Sequence, residues 1–412
     1  MKSYSRFRLA GLPFLFLLAA SPSLFSDDWP NWRGPNHDGI SSEKGLSFTW
    51  KSKPKVLWKR ELGASFSSFA AVGERVYTCG TGGGKQKLIC LGAVDGKPVW
   101  EIDIEGELQE RQGGDGCRAT PAVDNGLVYV LGAKGTLLCV KAKDGREVWR
   151  QKFSAAPTWF YSGSVLIEGD LAVVSPGGGD GSLAAFNKKT GSRVWKAGSD
   201  GAGYATPYPF TFEKTRYIAC FSAKEILVVE ADDGSVAWRS TWKTSYDVNS
   251  ATPIYDDGNL FVSSGYGHGC ALFRLRKSGG KLTVREVWKN QVIRSKFQTC
   301  VLYKGFLFGA DEQALKCVQL KTGKLVWRKD RLGASGGRGS RTRHGTLTLA
   351  DGHLIFLAEN GQLLIAKASP SGFKPRAGAK LLSGRCWTAP ALQDGRLYLR
   401  SLDTAVCIDL GK

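Results

Sequence analysis

Three groups of residues carry whatever chemistry this sequence can do. The first is a set of positions recurring at intervals of about 45 residues: Ser65, Arg118, Tyr161, Tyr204, Ser250, Phe297, His344 and Trp387. Each stands three residues before the start of an apolar strand pattern. Four aromatic rings, an Arg and a His held at one level would form a concave surface for a sugar or a planar ligand. The plainer alternative is that these side chains fill a channel. The second group is a Gly-interleaved basic stretch, Arg328, Lys329, Arg331, Arg338, Arg341 and Arg343. Arg338, Arg341 and Arg343 are candidates for clamping a phosphate, sulfate or carboxylate, since guanidinium groups bind such anions bidentately. A solvated loop is the competing reading.

The third group is the cysteines and histidines. Ten cysteines in a chain with an export leader raise the question of disulfides. Cys90, Cys139, Cys317 and Cys407 recur at one place in the repeat, where other copies carry Ala185 and Val228. A place that accepts Cys, Ala and Val is a small buried site, where a thiol acts as a compact hydrophobe. Cys79 and Cys220, and likewise Cys117 and Cys386, fall in repeats that are not neighbours, so no particular disulfide is expected. There is no CxxC, and His37, His268, His344 and His353 lack metal-ligand spacing. No metal site and no catalytic residue is singled out. The glycine runs Gly82–Gly84 and Gly177–Gly179 read as hairpin loops, because no helical pattern follows them as a phosphate cradle requires.

The elements that must position these residues are repeats. Leu88–Trp100, Leu137–Trp149, Leu183–Trp195, Ile226–Trp238 and Leu315–Trp327 each run from an apolar strand through Asp-Gly or Thr-Gly to a terminal Trp, and Ala271–Trp288 is a longer variant. Each is a hairpin whose turn needs positive φ. Upstream of these lies a second unit, as in Ala119-Thr120-Pro121 or Ala251-Thr252-Pro253, followed by Asp/Asn-Gly and an alternating strand. Together they make four antiparallel strands, the size of a propeller blade. First strands fall near Ser68, Pro121, Ser164, Pro207, Pro253, Cys300, Leu347 and Pro390, which predicts an all-β, eight-bladed β-propeller. The last copy stops at Thr404–Leu410, and its missing strand is expected from Lys55–Arg60. N- and C-terminal strands would then share one blade and leave no open sheet edge. The expected domains are a signal peptide over 1–26, a Trp/Pro-rich clasp over 27–53 and the propeller over 54–412.

The Trp-terminated hairpin resembles the tryptophan-docking motif, Ala-x-Asp-x-x-Thr-Gly-x-x-x-Trp, of the PQQ-like (quinoprotein-type) β-propeller repeat family. The resemblance spans essentially the whole mature chain. It implies that Trp58, Trp100, Trp149, Trp195, Trp238, Trp288 and Trp327 are girdle contacts between blades. The family holds PQQ-dependent dehydrogenases with a funnel calcium, and non-enzymatic members such as the outer-membrane barrel-assembly propeller protein. The dehydrogenases carry a vicinal cysteine pair and calcium-binding Glu, Asn and Asp; no Cys-Cys occurs here, and the inner positions are aromatic, basic or small. The resemblance is therefore closest in kind to the exported non-enzymatic members. A binding or scaffold protein of the cell envelope without a cofactor is expected. The alternative is a PQQ-dependent oxidoreductase with a divergent site, which would hold PQQ with calcium.

The N-terminus supplies the compartment. Lys2, Arg6 and Arg8 precede the uncharged apolar stretch Leu9–Ala20, and small residues follow in Ser21–Ser26. This reads as a secretory signal, too short to span a bilayer. No Cys precedes Cys79, so a lipid-attachment cysteine is not expected after the leader. The reading is a periplasmic or secreted monomer with no transmembrane segment after cleavage. The net charge of +20 favours polyanionic partners. Export points to an envelope protein or an acidic glycan and away from nucleic acid.

Overall fold

Asp-Gly, Asn-Gly and Thr-Gly pairs punctuate β-branched and aromatic runs throughout the chain, and those at 95–96, 125–126, 144–145, 190–191, 233–234, 257–258, 322–323, 351–352, 360–361 and 394–395 become turns between antiparallel strands. In the computed structural model, Met1 and residues 28–411 are described, apart from 109, 111, 313, 331 and 333–344. The strands form eight sheets of four or five strands. Blades one to seven span 70–106, 122–152, 166–197, 208–241, 254–290, 301–330 and 345–380. Blade eight combines Ala391–Gln393, Arg396–Arg400 and Thr404–Asp409 with the N-terminal strand Lys55–Glu61. That strand pairs antiparallel with Thr404–Asp409, with Trp58 opposite Cys407. Ring closure by both chain ends follows the sequence expectation.

A bulge breaks the register between the third and fourth strands of every blade, one residue before the docking position. Its effect is visible in exposure: Val148, Val194, Val287 and Val326 are exposed, while the Trp that follows each of them turns inward. The indole N–H of six of the docking Trp residues then reaches a carbonyl of the next blade. Trp58 donates to Ala93 O at 3.0 Å, Trp100 to Ala142 O at 3.0 Å and Trp149 to Lys188 O at 3.0 Å. Trp195, Trp288 and Trp327 continue the pattern to Ala231, Leu320 and Ser369. Trp238 packs on Phe273. The ring lies on the turn glycine of that next blade: a Cβ on Gly96 would stand 2.6 Å from Trp58, and one on Gly191 2.6 Å from Trp149. Glycine is needed here both for its positive φ and for the close approach.

The cysteines of the repeat lie directly across the sheet from these rings. Cys90, Cys139 and Cys317 pair with Trp100, Trp149 and Trp327. All ten cysteines are buried and free. Burial pushes the Cys90 thiol up to about 11 and the Cys139 and Cys317 thiols up to about 12. The nucleophilic thiolate form is therefore suppressed.

Residues 28–50 wrap the ring. Trp29 bridges Ala71 of blade one, the Pro30 carbonyl accepts from Val123 N of blade two, and Ile40–Ser41 adds a fifth, parallel strand to blade seven. Arg33 is buried and donates to the carbonyls of His37, Asp38, Thr299 and Cys300. Blade seven has no docking Trp in Pro375–Lys380. There Trp50 donates instead to Gly378 O at 3.3 Å, and Leu46 and Phe48 pack with Ile408 and Leu410 of blade eight. The N-terminal segment thus fills the one seam that the repeat leaves short of an aromatic ring.

His37 makes this wrapping sensitive to acid. Burial, with smaller contributions from Arg216 and Arg33, lowers its pKa from 6.5 to about 4 despite the opposing charge of Glu168. With its amide oriented so that the nitrogen donates to the carbonyls of Gly34 and Trp32, Asn31 also places that nitrogen 2.9 Å from His37 Nδ1, which then needs the neutral ring as acceptor. Between pH 6.5 and 4 the unfolded chain takes up a proton that the native chain refuses, so stability falls as pH falls. The loss is up to about 3 kcal/mol. His37→Asn, which tolerates the positive φ, should flatten this part of the melting temperature against pH curve. An unchanged slope in the variant would refute the assignment.

Candidate functional site

The first strand of each blade lines the axis, and its leading residue opens onto one face. There the blades enclose a cavity of about 280 Å³. Of the residues expected on this ring, Arg118, Tyr204, Ser250, Phe297 and Trp387 line it together. Tyr161 does not. Phe160 adopts positive φ, and Tyr161 turns into the core, fully buried, with its hydroxyl on Pro176 O at 2.7 Å. Trp159 and Ser162 face the cavity in its place. Ser65 is likewise buried, its hydroxyl on Cys117 O at 2.6 Å, and Phe66 takes the position at the mouth. His344, Arg338, Arg341 and Arg343 lie outside the described residues.

The rim is a closed chain of contacts. Phe66 stacks on Trp387 at 5.2 Å, and Trp387 meets Phe297 at 4.7 Å. The Lys296 ammonium sits 5.0 Å from the Phe297 ring and 4.5 Å from that of Tyr266. Tyr266 contacts Tyr246, and Tyr246 meets Trp159 edge-on at 5.9 Å. Trp159 Nε1 donates to Gln112 Oε1 at 2.9 Å. From Gln112 the loop leads back to Arg118, whose guanidinium lies 5.9 Å from the Phe66 ring. Arg385 covers Trp387 at 4.6 Å and clamps the carbonyls of Gln112 and Gly113.

Glu110 builds this loop. Its carboxylate accepts from the backbone N–H groups of Gln112 at 2.8 Å, of Gly113, and of Gly114 at 3.2 Å, and pairs with Arg118 at 3.4 Å. Burial pushes its pKa up, but the three N–H donors and the Arg118 charge outweigh that and hold it below the ordinary carboxylate range. Nothing in sequence spacing marks Glu110; its role appears only once the loop is folded over it.

Below the rim the wall is hydroxylic. Thr120 N donates to Ser164 Oγ and Ser164 N to Thr206 Oγ1, each at 2.9 Å, linking neighbouring blades. Trp32 from the N-terminal segment forms the floor. Its Nε1 donates to Thr252 Oγ1, two residues after Ser250 in the segment that leads into the first strand of blade five.

An eight-bladed ring with docking tryptophans and an axial cavity can be set beside known proteins. A PQQ-type repeat profile described as outer membrane protein assembly factor BamB matches residues 110–329. The chain belongs to this BamB family. BamB from Moraxella catarrhalis superposes with a TM-score of 0.61 at 14% identity, covering 87% of this chain and 98% of that one. A europium-containing methanol dehydrogenase gives 0.67 at 13% identity, covering 92% and 90%. Quinohemoprotein alcohol dehydrogenase from Comamonas testosteroni gives 0.64 at 12%, covering 93% and 81%. Among curated proteins none matches. At these identities the BamB and dehydrogenase likenesses concern the fold, which hosts more than one function. Among the described residues no helix is long and apolar enough to cross a membrane.

The cofactor of the dehydrogenases can be tested against the donors present. Calcium takes six to eight oxygen ligands. Among the described residues no three His, Cys, Asp or Glu side chains gather as a metal site, and Glu110, the cavity's carboxylate, is engaged by its own loop. The described residues do not fit a PQQ–calcium pair.

Proposed function

We propose that this chain is an exported, non-enzymatic binding or scaffold protein of the cell envelope that takes its ligand in the central funnel. The observation that carries this reading is Glu110. Among the described residues it is the carboxylate of the cavity, and it is fixed by three N–H groups and Arg118. A general acid or base must be within reach of substrate and able to exchange a proton. Glu110 is built to hold a loop. Membership of the BamB family and the basic, apolar leader support the same conclusion. An envelope protein or an acidic glycan is the partner class that the net charge favours.

The second reading, a PQQ-dependent oxidoreductase, draws on the fold shared with the dehydrogenases. Purified protein mixed with PQQ and calcium, then desalted, separates the two. No stoichiometric uptake by absorbance and calcium analysis, and no alcohol- or sugar-dependent dye reduction, is expected. Stoichiometric uptake together with dye reduction would overturn the non-enzymatic reading.

A further inference from the structure

We infer that the funnel binds the end of an anionic oligosaccharide, one carrying carboxylate or sulfate groups. This rests on the reading of the funnel as a binding site and names its ligand class. Three features converge on it. Aromatic faces around the rim suit the C–H faces of pyranose rings, which are apolar. Beneath them, the hydroxyls of Ser164 and Thr206 each accept a backbone N–H, so their own O–H protons remain to be donated. Neither proton has an acceptor among the described residues, and both residues line the cavity. A ligand with apolar faces and a girdle of oxygen acceptors satisfies both layers, which a purely apolar or purely ionic ligand does not.

The charge comes from Lys296 and Arg385. Lys296 lies between the Tyr266 and Phe297 rings, and Arg385 lies on Trp387. Neither has a carboxylate within ion-pair distance among the described residues. Gly265 makes the place for Lys296: a Cβ there would stand 2.7 Å from the Lys296 Cα and Cβ. The nearby carboxylates are engaged elsewhere. Glu110 pairs with Arg118, Glu312 accepts from Tyr266 N and pairs with Arg294, and Glu359 accepts from Trp387 Nε1. An ammonium held between two rings and short of a counter-ion is a receptor for a negative group arriving at the mouth.

The test is titration of the full mature protein, followed by tryptophan fluorescence and calorimetry. The probes are oligogalacturonate, a sulfated heparin-type oligosaccharide, neutral cello-oligosaccharide of matched length, and a carboxylate-terminated aromatic peptide. Saturable binding is expected for at least one anionic sugar, at least about tenfold tighter than for the neutral one. Lys296→Met should erase most of that preference, while Phe297→Ala weakens anionic and neutral sugars alike. Thermal melts matching the parent confirm that both variants fold. Equal affinity for neutral and anionic sugars, or an anionic preference undiminished by Lys296→Met, overturns the inference and leaves the funnel a binding site. Binding of the peptide alone does the same. No saturable response to any probe overturns it as well. The PQQ uptake assay fails or succeeds independently of all these outcomes.

Discussion

Trp58→Ala is expected to destabilise the protein by about 3–5 kcal/mol, the cost of truncating a well-packed buried Trp. Trp58 is 6% exposed. It sits on the N-terminal strand that completes blade eight, donates to Ala93 O of blade one, and covers Gly96 and the flank of Tyr398. Removing it leaves a cavity at the blade eight to blade one seam. It also loosens the strand whose pairing closes the ring. Urea unfolding followed by circular dichroism measures the loss. Trp100→Ala, in a half-buried ring of a blade continuous in sequence, is the comparison. A Trp58 variant within 1 kcal/mol of the parent would mean that the terminal strand contributes little.

Arg400→Met should be comparably severe, about 3 kcal/mol or more, as expected when one side of a buried polar network is removed. Arg400 is fully buried, with no carboxylate bonded to it among the described residues, and burial lowers its pKa to about 10. Its donors are used instead on a fan of oxygens. Nε reaches Ser401 O at 3.1 Å, Nη1 reaches Cys79 O at 2.7 Å and Thr78 Oγ1 at 3.1 Å, and Nη2 reaches Leu402 O at 3.0 Å and Gly63 O at 3.2 Å. These acceptors belong to blades eight and one and to the link between them. Methionine fills similar volume but leaves the carbonyls without donors in a dry seam, and each such group costs about 1–3 kcal/mol. Arg400→Lys should recover little, because an ammonium cannot reproduce the planar fork. Full stability in Arg400→Met would show that water or neighbouring groups can replace the guanidinium.

The blades, their number and their closure were legible because the repeat writes them eight times. The Asp/Thr-Gly turn, the docking Trp and the small residue opposite it are local in sequence, and local signals survive translation into structure. Five described ring residues reached the cavity for the same reason. The failures are non-local. Tyr161 and Ser65 obey the repeat count, yet the positive φ of Phe160 and the neighbouring loop rotate Trp159, Ser162 and Phe66 into their places. The Trp and Pro content of residues 27–53 suggests a clasp. Its path was not legible there, since Trp32 as a floor and Trp50 as a substitute docking ring depend on surfaces made by distant blades. One signal for Trp50 was available: blade seven lacks its own Trp. Glu110 gave no signal, because a lone carboxylate in a Gly-rich loop becomes meaningful only when three N–H groups converge on it.

The funnel exists only if the two chain ends build one blade, so the decisive measurement is native-state hydrogen exchange along Lys55–Glu61. Peptides covering this strand should exchange as slowly as those covering Thr404–Asp409, its partner, and both should lose protection together in Trp58→Ala. Exchange of residues 55–61 within seconds while 404–409 stays protected would contradict the closure and, with it, the site built on it.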